Sequence, residues 1–484
     1  MTRFVALAFS LAIVTPCFAQ SPSIADHPRV QEALHLLELW VDAKQAYDDI
    51  PGMSMAVVYD QDIIWSKGFG LASRESQIPA TPSTIYSICS ISKLFTSVGL
   101  MQLRDAGRVR LDDAVSMHLD WFNIQDKYPD APPVTVEGLL THSSGLPRES
   151  NHPYWSAPDF NFPTREEIVD GLSEQEELYP AFEYFQYSNL GLTLAGEIVA
   201  AASGQTYDSY IRANILDPLG MSNTYTDIPV AEHGQRMAVG YSTKRRDGSR
   251  PAVTAFQARG IAPAAGFAST VEDLARFASW QFRVLHHGAD ELLSRNTLRE
   301  MQRVQWMDRD WNAKRGLGFG VWRENDKTYV GHGGSCPGYR SDFNLDPVGK
   351  VATIFMTNAS GVSSSMYTRR AQEIVGPAVG AAVEEEETDR NLSTDSLEIY
   401  LGTYDQAPWG HESAVVLWKG KLAVVSLTSN DPLASMMKLR KTGEHTFRRV
   451  RDDDNLGEEI RFEIGPDGRA TRMWQHGNYN PRIR

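Results

Sequence analysis

The chain has 484 residues, 42% apolar and 22% charged, with a formal net charge of −14 and three cysteines. That length exceeds what one hydrophobic core fills, so two domains are expected. The acidic balance argues against a nucleic-acid partner, which needs a basic face, and no run approaches the roughly 18 consecutive apolar residues of a membrane-spanning helix.

The first residues read MTRFVALAFSLAIVTPCFAQS. Arg3 supplies a positive start, Phe4 to Val14 an apolar stretch without a polar face, and Ala19 a small residue before a cut. Residues 1–19 are therefore expected to be a cleavable signal peptide, which places the mature protein in the periplasm or outside the cell. Pro16 before Cys17 does not suit lipid attachment. A helix follows, with Val30, Ala33, Leu34, Leu37, Trp40 and Val41 on one face, ended by Pro51 and Gly52. MSMAVVYD and IIWSKGFG, joined at residues 60–62, read as an antiparallel hairpin. A second helix is expected near Ser90, its stripe formed by Ile91, Leu94, Phe95, Val98 and Met101 and its end marked by Gly107.

Residues 110–300 mix helical patterns with Pro- and Gly-marked turns. Thr270 followed by an acidic turn and an apolar stripe predicts another helix. From about 316 the pattern returns to strands: GFGVWR, KTYVGHGG, YRSDFNLD and VATIFMTN, too closely spaced for parallel crossovers. An α+β fold is expected, one antiparallel sheet completed by both ends of residues 20–383 and flanked by helices, with a mainly helical subdomain. A helix over 364–382 leads into EEEETDRNLSTDS, read as an acidic linker at 384–396. The β-rich runs and turns of 397–484 predict a small all-β barrel or sandwich.

The chemistry-bearing residues begin with YSICSISKLFTS. Ser90 and Lys93 are three apart on a predicted helix, so their side chains share a face. A serine hydroxyl is a weak nucleophile without a neighbouring base, and a lysine becomes one when burial lowers its proton affinity. At a helix start the Ser90 N–H is also free to face an oxyanion. In isolation the pair reads better as a capping serine beside a surface lysine. Two further motifs alter that balance. Tyr187 and Asn189 form a Tyr-x-Asn before an apolar helix, and His332, Gly333, Gly334 and Ser335 lie on a predicted strand whose glycines suit close approach of a ligand or backbone.

In this order the motifs resemble those of the penicillin-recognising serine hydrolases, which include class C β-lactamases, D-amino-acid-specific peptidases and esterases of the same fold. PGMSMAVV, TVEGLLTHSSGLP and GHGGSCPG add to the likeness, which covers roughly residues 28–382. The segment from YLGTYD resembles the lipocalin-like β-barrel attached to many members. The resemblance implies a β-lactamase/transpeptidase-like fold, no metal and no cofactor, and an acyl-enzyme on Ser90 with Lys93 relaying its proton. It implies that Tyr187 works with Lys93 as general base and protonates the leaving group. Asn189 would hold Lys93 and a substrate carbonyl, and Gly334 and His332 would line the substrate strand. The N–H groups of Ser90 and Ser335 would form the oxyanion hole. His332 stands where β-lactamases and carboxypeptidases carry lysine. Lysine is cationic near neutral pH and anchors a carboxylate, whereas histidine titrates near ~6.5. The expected substrate is thus a small-molecule or short-peptide ester or amide, with esterase or D-amino-acid-type peptidase activity ahead of a β-lactamase or DD-carboxypeptidase.

Other classes fit less well. No Gly-x-Ser-x-Gly elbow and no His-Glu-x-x-His occurs. His142 suits a hydrogen-bonded turn better than a triad base. A non-catalytic penicillin-fold protein that binds peptidoglycan fragments is the competing class, yet every expected catalytic position is filled. Acyl transfer stays open beside hydrolysis. The loop 148–163, with Tyr154, Trp155, Phe160 and Phe162, is expected to shape the acyl pocket. Cys89 and Cys336 each adjoin a motif, and an oxidising compartment permits their pairing, but spacing alone does not decide it.

Overall fold

The computed structural model describes residues 23–324, 326–392, 397–410, 412–418, 421–426 and 436–483. The expected signal peptide and residues 393–396 of the expected linker lie outside them. The chain divides into two compact units, 1–380 and 381–484.

The first unit is built on a nine-stranded antiparallel sheet. Its strands are β1 (Gly52–Tyr59), β2 (Asp62–Ser73), β3 (Ile78–Pro79), β4 (Trp306–Met307), β5 (Lys314–Arg315), β6 (Gly320–Glu324), β7 (Lys327–Cys336), β8 (Tyr339–Asp346) and β9 (Val351–Thr357). They lie in the order β3-β2-β1-β9-β8-β7-β6-β5-β4. The N-terminal hairpin therefore closes against the last strand, Met53 opposite Thr357 and Tyr59 opposite Val351, as the strand-helix-strand order predicts. β1 and β9 are buried on both faces, which explains why each reads as an apolar run rather than an alternation.

Helices cover both faces. α1 (Pro28–Tyr47) buries Val30, Leu34, Leu37 and Val41, the stripe read from the sequence. On the other face lie α2 (Ser92–Asp105), α3 (Val136–Thr141), α4 (Asn189–Ser203) and α5 (Val271–Phe282). Thr270 caps α5 by accepting from the Asp273 N–H at 3.1 Å, as its acidic first turn suggested. α2 is buried nearly all round, the mark of a central helix. Its Phe95 stacks on Phe267 and Phe277 at 5.1 and 4.5 Å between ring centroids. α6 (Ser364–Leu392) packs Tyr367 on Phe355 of β9 at 4.4 Å. It runs ten residues beyond the expected helix end, so the glutamates assigned to a linker occupy its last turns. Glutamate is a good helix former, and charge alone does not end a helix.

The second unit is an eight-stranded antiparallel meander, β10 (Gly402–Tyr404), β11 (Ser413–Trp418), β12 (Lys421–Ser426), β13 (Met437–Lys441), β14 (Thr446–Val450), β15 (Leu456–Ile464), β16 (Ala470–Gln475) and β17 (Asn478–Pro481). Tyr404 bridges Arg482, and Ile483 N–H donates to the Thr403 carbonyl at 2.8 Å, so the sheet is nearly closed into a barrel. Alternate residues such as Leu422 and Val424, or Ile460 and Phe462, fill its interior with Tyr400 and Phe447, as the two-residue strand period requires.

Candidate active site

The turn before α2 sets the first two groups. Tyr86–Ser87 pairs with Ala268–Ser269, and Cys89 then takes φ +50°, a left-handed conformation uncommon for a residue with a Cβ. The chain turns there into a 3-10 helix over Cys89–Ile91 that runs on into α2. Ser90 thus stands two residues before α2, partly exposed, rather than within it. The Ser92 hydroxyl pins this turn, donating to the Cys89 carbonyl and accepting from the Phe267 N–H.

Lys93 is fully buried. Its Nζ lies 2.8 Å from Asn189 Oδ1, 2.7 Å from the Ala264 carbonyl oxygen and 3.3 Å from Ser90 Oγ. No carboxylate pairs with it within the described residues, and burial lowers its pKa from the ordinary 10.5, opposed by Tyr187 and Glu149. A neutral amine has two hydrogens and one lone pair. Once deprotonated, the amine can give both hydrogens to the two short acceptors and turn its lone pair to the Ser90 hydroxyl; while protonated it donates to all three. This arrangement would let a deprotonated amine take the hydroxyl proton.

Tyr187 and Asn189 flank Ser188, whose hydroxyl caps α4 by accepting from the Gly191 N–H at 2.8 Å. The Tyr187 ring lies 4.9 Å from Lys93 Nζ and 4.9 Å from the Arg148 guanidinium. His142, in a left-handed conformation at the end of α3, stacks on Tyr187 at 4.2 Å. Its Nδ1 accepts the Ser188 N–H at 3.1 Å, and burial holds its pKa well below the usual value. It is the hydrogen-bonded turn residue expected, and it also supports the tyrosine. Asn189 Oδ1 accepts from Lys93 Nζ. Its Nδ2, reserved by the resemblance for a substrate carbonyl, instead donates to both Glu149 carboxylate oxygens at 2.9 Å.

The third motif lies along β7. A Cβ on Gly334 would collide with the Ile88 carbonyl oxygen and Ser341 Oγ, so only glycine lets β7 press against the chain just before Ser90. A Cys89–Cys336 disulfide, Cα atoms 5.8 Å apart, ties the residue before Ser90 to the residue after Ser335. The His332 ring centroid is 6.2 Å from that of Tyr187. Its Nδ1–H donates to the Gly333 carbonyl at 2.7 Å, and its buried Nε2 has no partner among the described residues. Burial, with Lys93 and Arg315 nearby, pushes its pKa down to about 3. His332 is therefore neutral at physiological pH and offers an acceptor, not a cation.

Ser-x-x-Lys, Tyr-x-Asn and the glycine-rich strand thus converge on one place, and the β-lactamase family model matches residues 37–375. The chain belongs to the β-lactamase family. This is a family of serine hydrolases. Beta-lactamase-like protein 2 of Dictyostelium discoideum is 26% identical over 388 residues, 78% of this chain and 69% of that protein. The D-amino acid amidase of Ochrobactrum anthropi, solved with L-phenylalanine amide, is 26% identical with a TM-score of 0.57, over 74% of this chain and 99% of that one. The octameric penicillin-binding protein homologue of Pyrococcus abyssi shares the fold over 92% of this chain and 99% of that one, at TM-score 0.62 and 24% identity.

Several neighbours of the family motifs carry no sequence signal of their own. Glu149 orients Asn189 and also receives the Tyr154 hydroxyl. The Ala264 carbonyl, 171 residues from Lys93, sets the amine. A cleft of about 450 Å³ opens beside Tyr187 and His332, lined also by Arg315, Trp322, Asp342 and Asn344. The loop 148–163 departs from expectation: Tyr154, Phe160 and Phe162 are buried, and Phe162 stacks on Phe256 at 5.1 Å. Those aromatics are core, because a long loop also has to bury apolar surface. Among the described residues no helix is long and apolar enough to cross a membrane.

Proposed function

We propose that this protein cleaves an ester or amide bond through an acyl-enzyme on Ser90. The observation that carries the reading is the Lys93 amine, buried, bonded to two acceptors and left with Ser90 as its third neighbour. Ser90 Oγ attacks the substrate carbonyl as its proton passes to Lys93. The N–H groups of Ser90 and Ser335 receive the oxyanion, each such donor contributing about 10²–10³ in rate. Tyr187, beside Lys93, protonates the leaving group and then draws a proton from the deacylating water.

Short esters and D-amino-acid amides or peptides are favoured over β-lactams. A neutral His332 replaces the lysine of β-lactamases, and a D-amino acid amidase is among the similar structures. Fluorophosphonate labelling beside p-nitrophenyl acetate hydrolysis tests the chemistry. Wild type is expected to label at Ser90, and Ser90→Ala to lose the label and at least about 10³ in kcat. An unlabelled wild-type protein without turnover sinks the reading and leaves the binding-protein alternative. In a substrate panel, nitrocefin is expected to be the poorest member; efficient nitrocefin turnover would reverse the substrate preference.

The protein is also read as exported. The N-terminal signal pattern and the buried disulfide support this, since disulfides persist in oxidising compartments. Protein recovered from periplasm or culture medium is expected to begin at Gln20; an intact Met1 in cytosolic protein overturns the assignment.

A further inference from the structure

We propose that Thr96 and Tyr207 are positioning residues, whose linked hydroxyls hold the helical turn Ala262–Ala265 so that the Ala264 carbonyl keeps its place against the Lys93 amine. The inference deepens the acyl-enzyme reading above and rests on it. Ala262–Ala265 is a single turn of helix. In a longer helix the N–H groups of Phe267 and Ala268 would close on the Pro263 and Ala264 carbonyls. Here the Phe267 N–H donates to Ser92 Oγ at 3.0 Å and the Ala268 N–H to the Tyr225 carbonyl at 3.1 Å. Both carbonyls are thereby freed, and α2 fills both. Lys93 Nζ lies 2.7 Å from the Ala264 oxygen, and Thr96 Oγ1 lies 2.6 Å from the Pro263 oxygen. Lys93 and Thr96 are three apart on α2 and share a face, so one helix face grips two consecutive carbonyls.

Thr96 is fully buried, and its hydroxyl has one hydrogen to give. A threonine inside a helix ordinarily donates to the carbonyl four residues back, as the neighbouring Ser97 does to Lys93 at 2.7 Å. The corresponding Ser92 carbonyl lies 3.4 Å from Thr96 Oγ1, so the hydrogen goes to Pro263 instead. The Tyr207 hydroxyl is 2.6 Å from Thr96 Oγ1. With the Thr96 hydrogen spent, Tyr207 is the donor of that pair. Burial, with Asp208 adding to it, raises the Tyr207 pKa and keeps that proton in place. Tyr207 thus donates to Thr96 and Thr96 to Pro263, one peptide away from the acceptor of Lys93. A Cβ on Gly196 would come within 2.4 Å of the Pro263 ring, so α4, which begins at Asn189, closes on the same turn. Tyr187, Glu149, Arg148, His142 and His332 are the titratable and charged groups that face Lys93. Asp208 is the one that faces Tyr207 among the described residues.

Thr96→Val keeps the side-chain shape and removes the hydroxyl. In the full-length protein, with p-nitrophenyl acetate, it is expected to lower kcat about tenfold or more with KM little altered, because a displaced carbonyl no longer orients the amine. A carbonyl acceptor stabilises the ammonium more than the amine. The rising limb of the pH–kcat profile is therefore expected to move down by about half a unit or more. Thr96→Ser, which restores the hydroxyl, is expected to recover most of both changes, and Tyr207→Phe to show both in smaller measure. A Thr96→Val protein that is less stable but keeps the wild-type kcat and limb overturns the proposal, since a purely structural hydroxyl predicts that result. Failure of Thr96→Ser to recover the limb overturns it as well. Lys93 is also titrated directly, by NMR of protein isotopically labelled at lysine Cε, its signal assigned by loss in Lys93→Met. A lower Lys93 midpoint in Thr96→Val than in wild type upholds the positioning role even if no ester is turned over and the acyl-enzyme reading fails. An unchanged midpoint refutes it whatever the activity. Should Thr96→Val fail to fold, judged by circular dichroism, Tyr207→Phe carries the decision: a lowered midpoint supports the proposal and an unchanged one refutes it.

Discussion

Lys93→Met is expected to lower kcat/KM for any good substrate by about 10³–10⁴, within the range general acid–base groups contribute. The more informative variant is Lys93→Arg. Arginine retains the positive charge and can still donate toward Asn189 Oδ1 and the Ala264 carbonyl oxygen, the two partners at 2.8 and 2.7 Å. It cannot give up its proton in a protein. If Lys93 serves as a base, Lys93→Arg is as inactive as Lys93→Met. Retention of more than a tenth of wild-type activity would instead make Lys93 an electrostatic support. The pH dependence follows in sign. Burial lowers the Lys93 pKa from 10.5, so the amine is neutral from a lower pH than in a free lysine. Activity should rise with pH along a limb whose midpoint lies below 10.5. The same shift makes the folded chain bind fewer protons than the unfolded chain between the two pKa values, so Lys93 favours folding increasingly as pH rises through that window.

The parts of this site legible in the sequence are those whose geometry is local. Ser90 and Lys93 need only a helical three-residue offset, and Ser188 and Asn189 need only a helix start. The strands before and after the central segment were readable because 53–60 and 351–358 are apolar runs with turn residues at their ends. Their pairing follows from both being buried. What escaped depends on long-range approach. The Ala264 carbonyl has no side-chain signature, and its role comes from packing 171 residues away. Glu149 lies next to Arg148 in a loop where either charge reads as solvated. The extent of α6 is not legible because a glutamate run resembles a linker in composition while favouring helix in conformation. Tyr154, Phe160 and Phe162 mislead for the opposite reason: aromatics on a polar loop look displayed, but here they bury one another.

Breaking the Cys89–Cys336 bridge should weaken both the fold and the catalyst. The bridge closes a loop with a sequence separation of 247, and cross-linking so long a loop stabilises by roughly 5.5 kcal/mol in the chain-entropy account. Cys89→Ser/Cys336→Ser is therefore expected to unfold at a lower temperature, measured by calorimetry. Position gives the bridge a second consequence. It joins the backbone on either side of the two proposed oxyanion donors, Ser90 and Ser335, where Gly334 already brings β7 against Ile88 and Ser341 Oγ donates to the Ile88 carbonyl at 2.9 Å. Those contacts keep the strands near each other after the bridge is cut, so the double variant should still fold. They do not hold the two N–H groups at a fixed separation, and an oxyanion hole works only when its donors are already placed. At a temperature far below its midpoint the variant should lose at least about tenfold in kcat with KM little altered. A purely structural bridge predicts an unchanged kcat there. That result would confine the disulfide to stability and leave Gly334 alone to place the strand.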